Sequence, residues 1–331
     1  MSRRVFIASA LLALAGCQTL PATPPASAPS APPPPPPPAP APSPSGTASA
    51  APTARPPAPP PLPPPPSRPP RLGLALGGGA ARGFAHIGVI QVLEENGIKP
   101  DLVVGTSAGS MVAALYASGR TGLDMGTLAQ TMDEGAITDW AFPSRGLLRG
   151  EALARYVREQ TGGLAIELMK LPLGIVATDR DSGAGVLFRR GDTGTAVRAS
   201  SAVPAVFQPV KIGSREYVDG GLISPVPVRY ARQMGADVVL AVDISNPPEG
   251  ALTSDLMKML LQTFAIMSRS INSFELREAD VVLRPALAGI SSADFTARRR
   301  AIIAGREAAL KALPELRQRL ADWAQRAAAP Q

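Results

Sequence analysis

The sequence predicts an α/β domain of three layers, α/β/α, around a largely parallel central sheet. Three observations carry this. Leu72–Leu76 is a short apolar run ending in Gly77-Gly78-Gly79, and a helical pattern follows it to Asn96-Gly97. Leu102-Val103-Val104 is a second such run, leading through Gly105-Thr106-Ser107-Ala108-Gly109 into a helix ending near Gly119. The alternation then repeats, and short apolar runs bounded by turn residues and separated by helical stretches read as buried parallel strands.

Each element has its own signal. Phe84, Ile87, Ile90 and Val92 mark the apolar face of the first helix, and Asn96-Gly97 stops it. Further strands are predicted at Leu173–Ala177, Gly185–Arg189, Ala236–Val242 and Asp280–Leu283, with a shorter one at Glu216-Tyr217-Val218. Helices are predicted at Leu252–Arg277 and Arg298–Arg326, the second kinked or broken at Pro314 because proline lacks an amide donor.

Composition divides the 331 residues unevenly. Arg3 and Arg4 precede the apolar stretch Val5–Leu14 and the small-residue end Leu14-Ala15-Gly16-Cys17. That is the layout of an export signal, too short for a membrane span. The tetrapeptide resembles a bacterial lipobox, which implies a signal peptide over 1–16 and a lipidated Cys17. Cys17 is the only cysteine, so no intramolecular disulfide forms, and the alternative of a thiol nucleophile fits its surroundings poorly. Gln18, where aspartate would favour inner-membrane retention, points to the outer membrane facing the periplasm. Ser2–Ile7 also resembles a twin-arginine export signal. Residues 17–70 then form a Pro/Ala/Ser linker with seven consecutive prolines at Pro32–Pro38. In polyproline II form it spans on the order of 100 Å. The folded domain is expected over 71–286, with a helical segment over 287–331.

The formal charge of +7 raises the question of nucleic acid. Basic residues are scattered and aromatics reach only 4%, so no basic stripe with stacking residues forms and a nucleic-acid partner is excluded. The charge favours an anionic membrane surface, or carries no specific meaning.

Ser107 is the central chemical candidate. A serine flanked by Gly105 and Gly109, between a buried strand and a helix, has the form of a nucleophile elbow, whose tight turn leaves little room for neighbouring side chains. The helix dipole would favour negative charge developing there. Such a serine ordinarily uses histidine as its base. The one histidine, His86, lies inside the first helix, where a structural hydrogen bond is expected of it. The base is then a carboxylate, or the chain is no serine hydrolase. Asp219, before Gly220-Gly221, is the best-placed candidate, with Asp179, Asp181, Asp192 and Asp243 as alternatives. The turn Gly77–Gly83 directs successive amides at one point, as an oxyanion hole or a dinucleotide-binding loop does. Asp101 has roughly the spacing of a ribose-binding acid, yet it precedes the second strand.

Together the glycine turn ending Arg82-Gly83, the serine elbow and the downstream Asp219-Gly220-Gly221 resemble the patatin-like phospholipase family over residues 71–286. Leu76–Ile90 and Ala199–Phe207 are similar to bacterial members. The resemblance implies Ser107 as nucleophile, Asp219 as its base, and an oxyanion hole from the amides of Gly79 and Ala80 with Gly78 beside them. It implies no metal and no cofactor. Ala80 stands where the family carries a glycine. Arg82 is a candidate contact for a substrate phosphate, or partner in a structural salt bridge. The implied activity is hydrolysis of carboxylic esters of membrane lipids, of phospholipase A or lysophospholipase type, through an acyl-enzyme. The alternative is a membrane-tethered lipid-binding or scaffold protein without turnover.

Overall fold

The computed structural model describes residues 68–137, 139, 148–245 and 255–328. The predicted signal segment, Cys17 and the proline tract lie outside these residues. Strands β1 (Leu72–Leu76), β2 (Leu102–Thr106), β3 (Leu173–Asp179), β4 (Gly185–Phe188), β5 (Val210–Ile212), β6 (Arg215–Asp219), β7 (Val238–Val242) and β8 (Val281–Leu283) form one sheet. Its order is β5-β6-β3-β2-β1-β7-β8, with β4 also paired to β3.

The helices are α1 (Phe84–Glu95), α2 (Ala108–Ala117), α3 (Gly122–Thr131), α4 (Glu151–Gln160), α5 (Thr193–Ser200), α6 (Val228–Gln233), α7 (Leu256–Glu275) and α8 (Arg298–Ala328).

Strands β3, β2, β1, β7 and β8 run parallel, which makes the sheet largely parallel as predicted, whereas the β3–β4, β3–β6 and β5–β6 pairings are antiparallel. Loop length explains the last of these. Only Gly213-Ser214 separates β5 from β6, and a connection this short joins only antiparallel neighbours, since a parallel crossover needs a dozen or more residues.

The apolar residues of the central strands serve two cores. Leu72, Leu74, Leu76 and Val103 pack with α1, α2, α3 and α8, whereas Ala75, Leu102 and Val104 pack with α6 and Leu276 on the opposite face. Two cores across one sheet make the three layers. Leu287, Ile290, Leu313 and Leu316 belong to the first core, so the C-terminal helical segment is integral to the domain.

The predicted break at Pro314 does not occur, and α8 continues to Ala328. Pro314 and Leu310, whose carbonyl loses its amide partner, are both exposed, so the lost bond falls on the solvent side of the helix. Leu313 and Leu316 on the opposite side hold the helix to the core.

Candidate active site

The elbow forms at the C-terminal end of β2. Ser107 has φ 52° and ψ −124°, an uncommon conformation for a side chain bearing Cβ. Side chains at Gly105 or Gly109 would collide with backbone: a Cβ on Gly105 meets the Gly109 carbonyl, and one on Gly109 meets the Leu76 carbonyl. The two glycines are therefore steric requirements of the turn. Three contacts hold it. The Ser107 amide donates to Ser200 Oγ at 2.8 Å, Ser200 Oγ donates to the Val176 carbonyl at 2.5 Å, and Ser110 Oγ donates to the Ser107 carbonyl at 2.6 Å.

Sheet register brings Asp219 to this elbow. Thr106 pairs with Val176 of β3, and Asp219 pairs with the next residue, Ala177. Asp219 is buried; its Oδ1 accepts the Gly221 amide at 2.6 Å, while Oδ2 makes no hydrogen bond of ordinary geometry. Burial pushes its pKa up to about 7, opposed by the Gly221 amide and by the Ser107 hydroxyl. The carboxylate is thus desolvated, half satisfied and next to the serine.

None of the other acids shares this setting. Asp179 is tied to Arg215 and to Ser182, which hold its carboxyl well below the usual range. Asp181 donates its amide to Asp179 Oδ1 in the same turn. Asp192 caps α5 and pairs with Arg158, and Asp243 accepts from Ser245. Asp101 accepts the Leu72 amide at the start of β1, the opposite end of that strand from Gly77. An acid there cannot reach a ligand seated on the glycine turn, which removes the dinucleotide reading.

The glycine turn lies against the elbow. Gly77 donates its amide to the Val242 carbonyl at 3.1 Å and Gly78 donates to the Pro225 carbonyl at 2.9 Å. Gly78 therefore lines the site beside Ser107 without a free amide, which corrects its expected place in the oxyanion hole. The cause is the Pro225 carbonyl, brought in by the segment after Asp219-Gly220-Gly221. Among the described residues, the amides of Gly79, Ala80 and Ala108 donate to no hydrogen bond. Ala108 opens α2 just after Ser107, a donor that the sequence pattern had not singled out. Ala80 has φ 49°, in the left-handed region where glycine is favoured. Arg82 Nε donates to the Gly79 carbonyl at 3.3 Å, bracing the turn from within.

His86 is fully buried, and its Nε2 lies 2.8 Å from the Gly77 carbonyl. A carbonyl only accepts, so Nε2 carries the proton. Burial lowers the ring's pKa to about 4, outweighing that hydrogen bond. His86 supports the glycine turn from α1, in the structural role expected of it.

An apolar cleft of about 40 Å³ opens between Ala80 and Ala108 and is walled by Met111, Leu115, Met125 and Met132. A larger groove of about 650 Å³ runs past Pro172, Phe188 and Arg189, apart from the serine.

The sequence model of the patatin-like phospholipase family matches residues 74–232. An uncharacterized NTE family protein of Mycobacterium bovis is 38% identical over 183 residues, covering 54% of this chain and 51% of that protein. Another, from Mycobacterium tuberculosis, is 32% identical over 278 residues, covering 74% and 47%. Mouse patatin-like phospholipase domain-containing protein 6 is 34% identical over 192 residues, covering 55% and 14%. The chain thus spans about half the length of the mycobacterial relatives it matches, and less of the mouse protein. The crystal structure of VipD from Legionella pneumophila superposes with a TM-score of 0.50 at 16% identity, over 77% of this chain and 68% of that one, a likeness of fold. Residues 74–232 hold the glycine turn, the serine elbow and Asp219 alike, and they form a domain of the patatin-like phospholipase family.

Proposed function

We propose that this domain hydrolyses carboxylic esters of membrane lipids by acyl transfer through Ser107 and Asp219. The observation that carries the reading is the state of Asp219: buried, raised to a pKa of about 7, beside the Ser107 hydroxyl, and with Oδ2 in no hydrogen bond of ordinary geometry. An exposed aspartate, with a pKa near 3.9, is a weak base for a hydroxyl. A desolvated one titrating near neutrality is better matched to the task.

Ser107 Oγ attacks the ester carbonyl carbon while Asp219 Oδ2 takes the hydroxyl proton. The carbonyl oxygen becomes an oxyanion held by the Gly79, Ala80 and Ala108 amides, each donor contributing about 2.7–4 kcal/mol to the transition state. Collapse breaks the ester C–O bond, and the departing alkoxide takes the proton from Asp219. Water then gives a proton to Asp219 and attacks the acyl-enzyme; as the acyl–Oγ bond breaks, Asp219 returns that proton to Ser107 Oγ, and a fatty acid leaves. The methionine-walled cleft beside Ala80 suits one end of an acyl chain, because methionine adapts readily to flexible apolar ligands. Arg82, braced on Gly79, keeps the turn in shape, and a substrate phosphate is a secondary role for it. Acylation at Cys17 would tether the domain at the outer membrane, within reach of such substrates.

The test is hydrolysis of a short-chain p-nitrophenyl ester and of a lysophospholipid by the parent, Ser107→Ala and Asp219→Asn. Loss in both variants with folding intact supports the dyad. Activity surviving Ser107→Ala would sink the mechanism. A parent inactive on both esters and unlabelled by a fluorophosphonate probe would leave a tethered lipid-binding protein.

A further inference from the structure

Helix α7 has its polarity reversed. The face it turns to the domain carries Phe264, Ser268, Asn272 and Glu275. Phe264 Cζ packs against Gly221, and Ser268 Oγ donates to the Gly221 carbonyl at 3.2 Å. Asn272 Oδ1 accepts the Val226 amide at 3.2 Å, and Glu275 Oε1 accepts the Ser224 hydroxyl at 2.5 Å. Asn272 Nδ2 and Glu275 Oε2 are buried with no hydrogen-bond partner. The outward face carries Leu256, Met259, Leu260, Ile266, Met267 and Phe274, each between 47% and 68% exposed. At 3.6 residues per turn these six fall in one stripe. Lys258 and Arg269 lie along one flank, and the Arg277 guanidinium sits 5.3 Å above the Phe274 ring at the far end.

A stripe of six large apolar side chains in water marks a surface made to be covered. We propose that α7 lies in the surface of an anionic membrane. The stripe enters the boundary between headgroups and acyl chains, and Lys258, Arg269 and Arg277 meet lipid phosphates. This rests on reading the Ser107 site as one for membrane lipids, and it names how the site meets them. Charge selects the occupant. A basic flank on an apolar stripe complements anionic lipid, and the chain's charge of +7 adds to the attraction. A second copy docked on the same face would set these cations against their own counterparts. Among the described residues no helix is long and apolar enough to cross a membrane, so α7 lies on the surface and does not span it. Its inner face touches Gly221, whose amide holds Asp219, so docking α7 sets the candidate site against the lipid.

The test uses the full chain carrying Cys17→Ser, which removes any acyl anchor, and sedimentation with phosphatidylcholine vesicles with and without phosphatidylglycerol. The triple variant Ile266→Ser/Met267→Ser/Phe274→Ser is expected to bind anionic vesicles about tenfold more weakly or worse. Lys258→Gln/Arg269→Gln, at exposed positions that leave the fold alone, is expected to lose about fivefold per cation, an effect that added salt erases. Leu168→Ser, at an exposed apolar residue outside α7, should bind as the parent does. Near-parental turnover of a soluble ester by both α7 variants separates docking from folding. Binding of both α7 variants within twofold of the parent overturns the proposal. So does a parent dimer that the triple variant dissolves without changing vesicle affinity. Ser107→Ala should bind vesicles as the parent does. If that variant still hydrolysed the ester, the dyad would fall and the docking surface would stand.

Discussion

The backbone amide of Ser107 donates to Ser200 Oγ, and the same hydroxyl donates to the Val176 carbonyl. One buried side chain thereby ties the elbow to β3, the strand on which Asp219 is also registered. Ser107 sits at φ 52°, a conformation that persists only where its surroundings hold it. Ser200→Ala removes the partner of a half-buried amide and a donor to a buried carbonyl, an expected loss of about 1–3 kcal/mol of stability. The elbow then relaxes, and kcat should fall about tenfold or more with KM little changed. Urea unfolding beside ester kinetics checks both. Unchanged kcat in a destabilised variant would reduce Ser200 to a packing residue.

Asp219 sets a pH dependence for activity and stability together. Its pKa in the fold, about 7, is raised above the unfolded value of 3.8. The folded state therefore holds a proton that the unfolded chain has released between these two values. This stabilisation is fully present below pH 4 and is lost as pH rises through 7. Activity runs the other way, because the base must be ionised, so kcat/KM should rise with pH to a midpoint near 7. Asp219→Asn keeps an acceptor for the Gly221 amide and never ionises. It should lower kcat by at least about a thousandfold. It should also gain on the order of a few kcal/mol over the parent at pH 8, and nothing at pH 3.5. Thermal melts at those two values test the sign.

Much of this site was legible in the chain. The elbow could be read because Gly105 and Gly109 are steric necessities of one local turn, and the glycine turn because its amides serve one short loop. Asp219 was different. Gly220-Gly221 favours it over Asp179, Asp192 and Asp243 only weakly, since such a pair ordinarily marks a turn, and the family resemblance adds the role. The physical distinction is register on β3 and the absence of a cation, neither of which is local. Ser200 is hidden in the sequence for the same reason, since its partners Ser107 and Val176 are remote in sequence. The engagement of the Gly78 amide is hidden too, because the Pro225 carbonyl that accepts it comes from a distant segment. The continuation of α8 past Pro314 depended on which side of the helix faces water. Buried strands and tight turns carry local signals; the pairing of their ends does not.

Ala80 holds φ 49° where an alanine is strained. Ala80→Gly should relieve roughly 1 kcal/mol, net of glycine's greater unfolded-state entropy, and keep full hydrolysis, since the amide remains. Ala80→Pro removes that amide and fixes φ near −65°, so hydrolysis should fall by a hundredfold or more, on the order of one lost oxyanion donor. Full activity in Ala80→Pro would take this residue out of the oxyanion hole.

His86 separates a supporting residue from a base, and its pH dependence opposes that of Asp219. Its pKa is lowered from 6.5 to about 4, so the folded ring stays neutral while the unfolded ring protonates. The stability this contributes is full above pH 6.5 and is lost as pH falls towards 4, about 3 kcal/mol over the whole shift. Over the same interval Asp219 gains as pH falls, so the two buried groups partly cancel and the parent's stability should vary little. Each substitution exposes the other group's slope. His86→Gln should leave a protein that loses stability as pH rises from 4 to 7. Asp219→Asn should leave one that loses stability as pH falls from 6.5 to 4. Glutamine retains a donor for the Gly77 carbonyl, so His86→Gln is also expected to keep hydrolysis within about tenfold of the parent. Loss of a thousandfold or more in a folded His86→Gln, with the acidic limb of the pH profile moved, would make the imidazole the base and leave Asp219 to orient it.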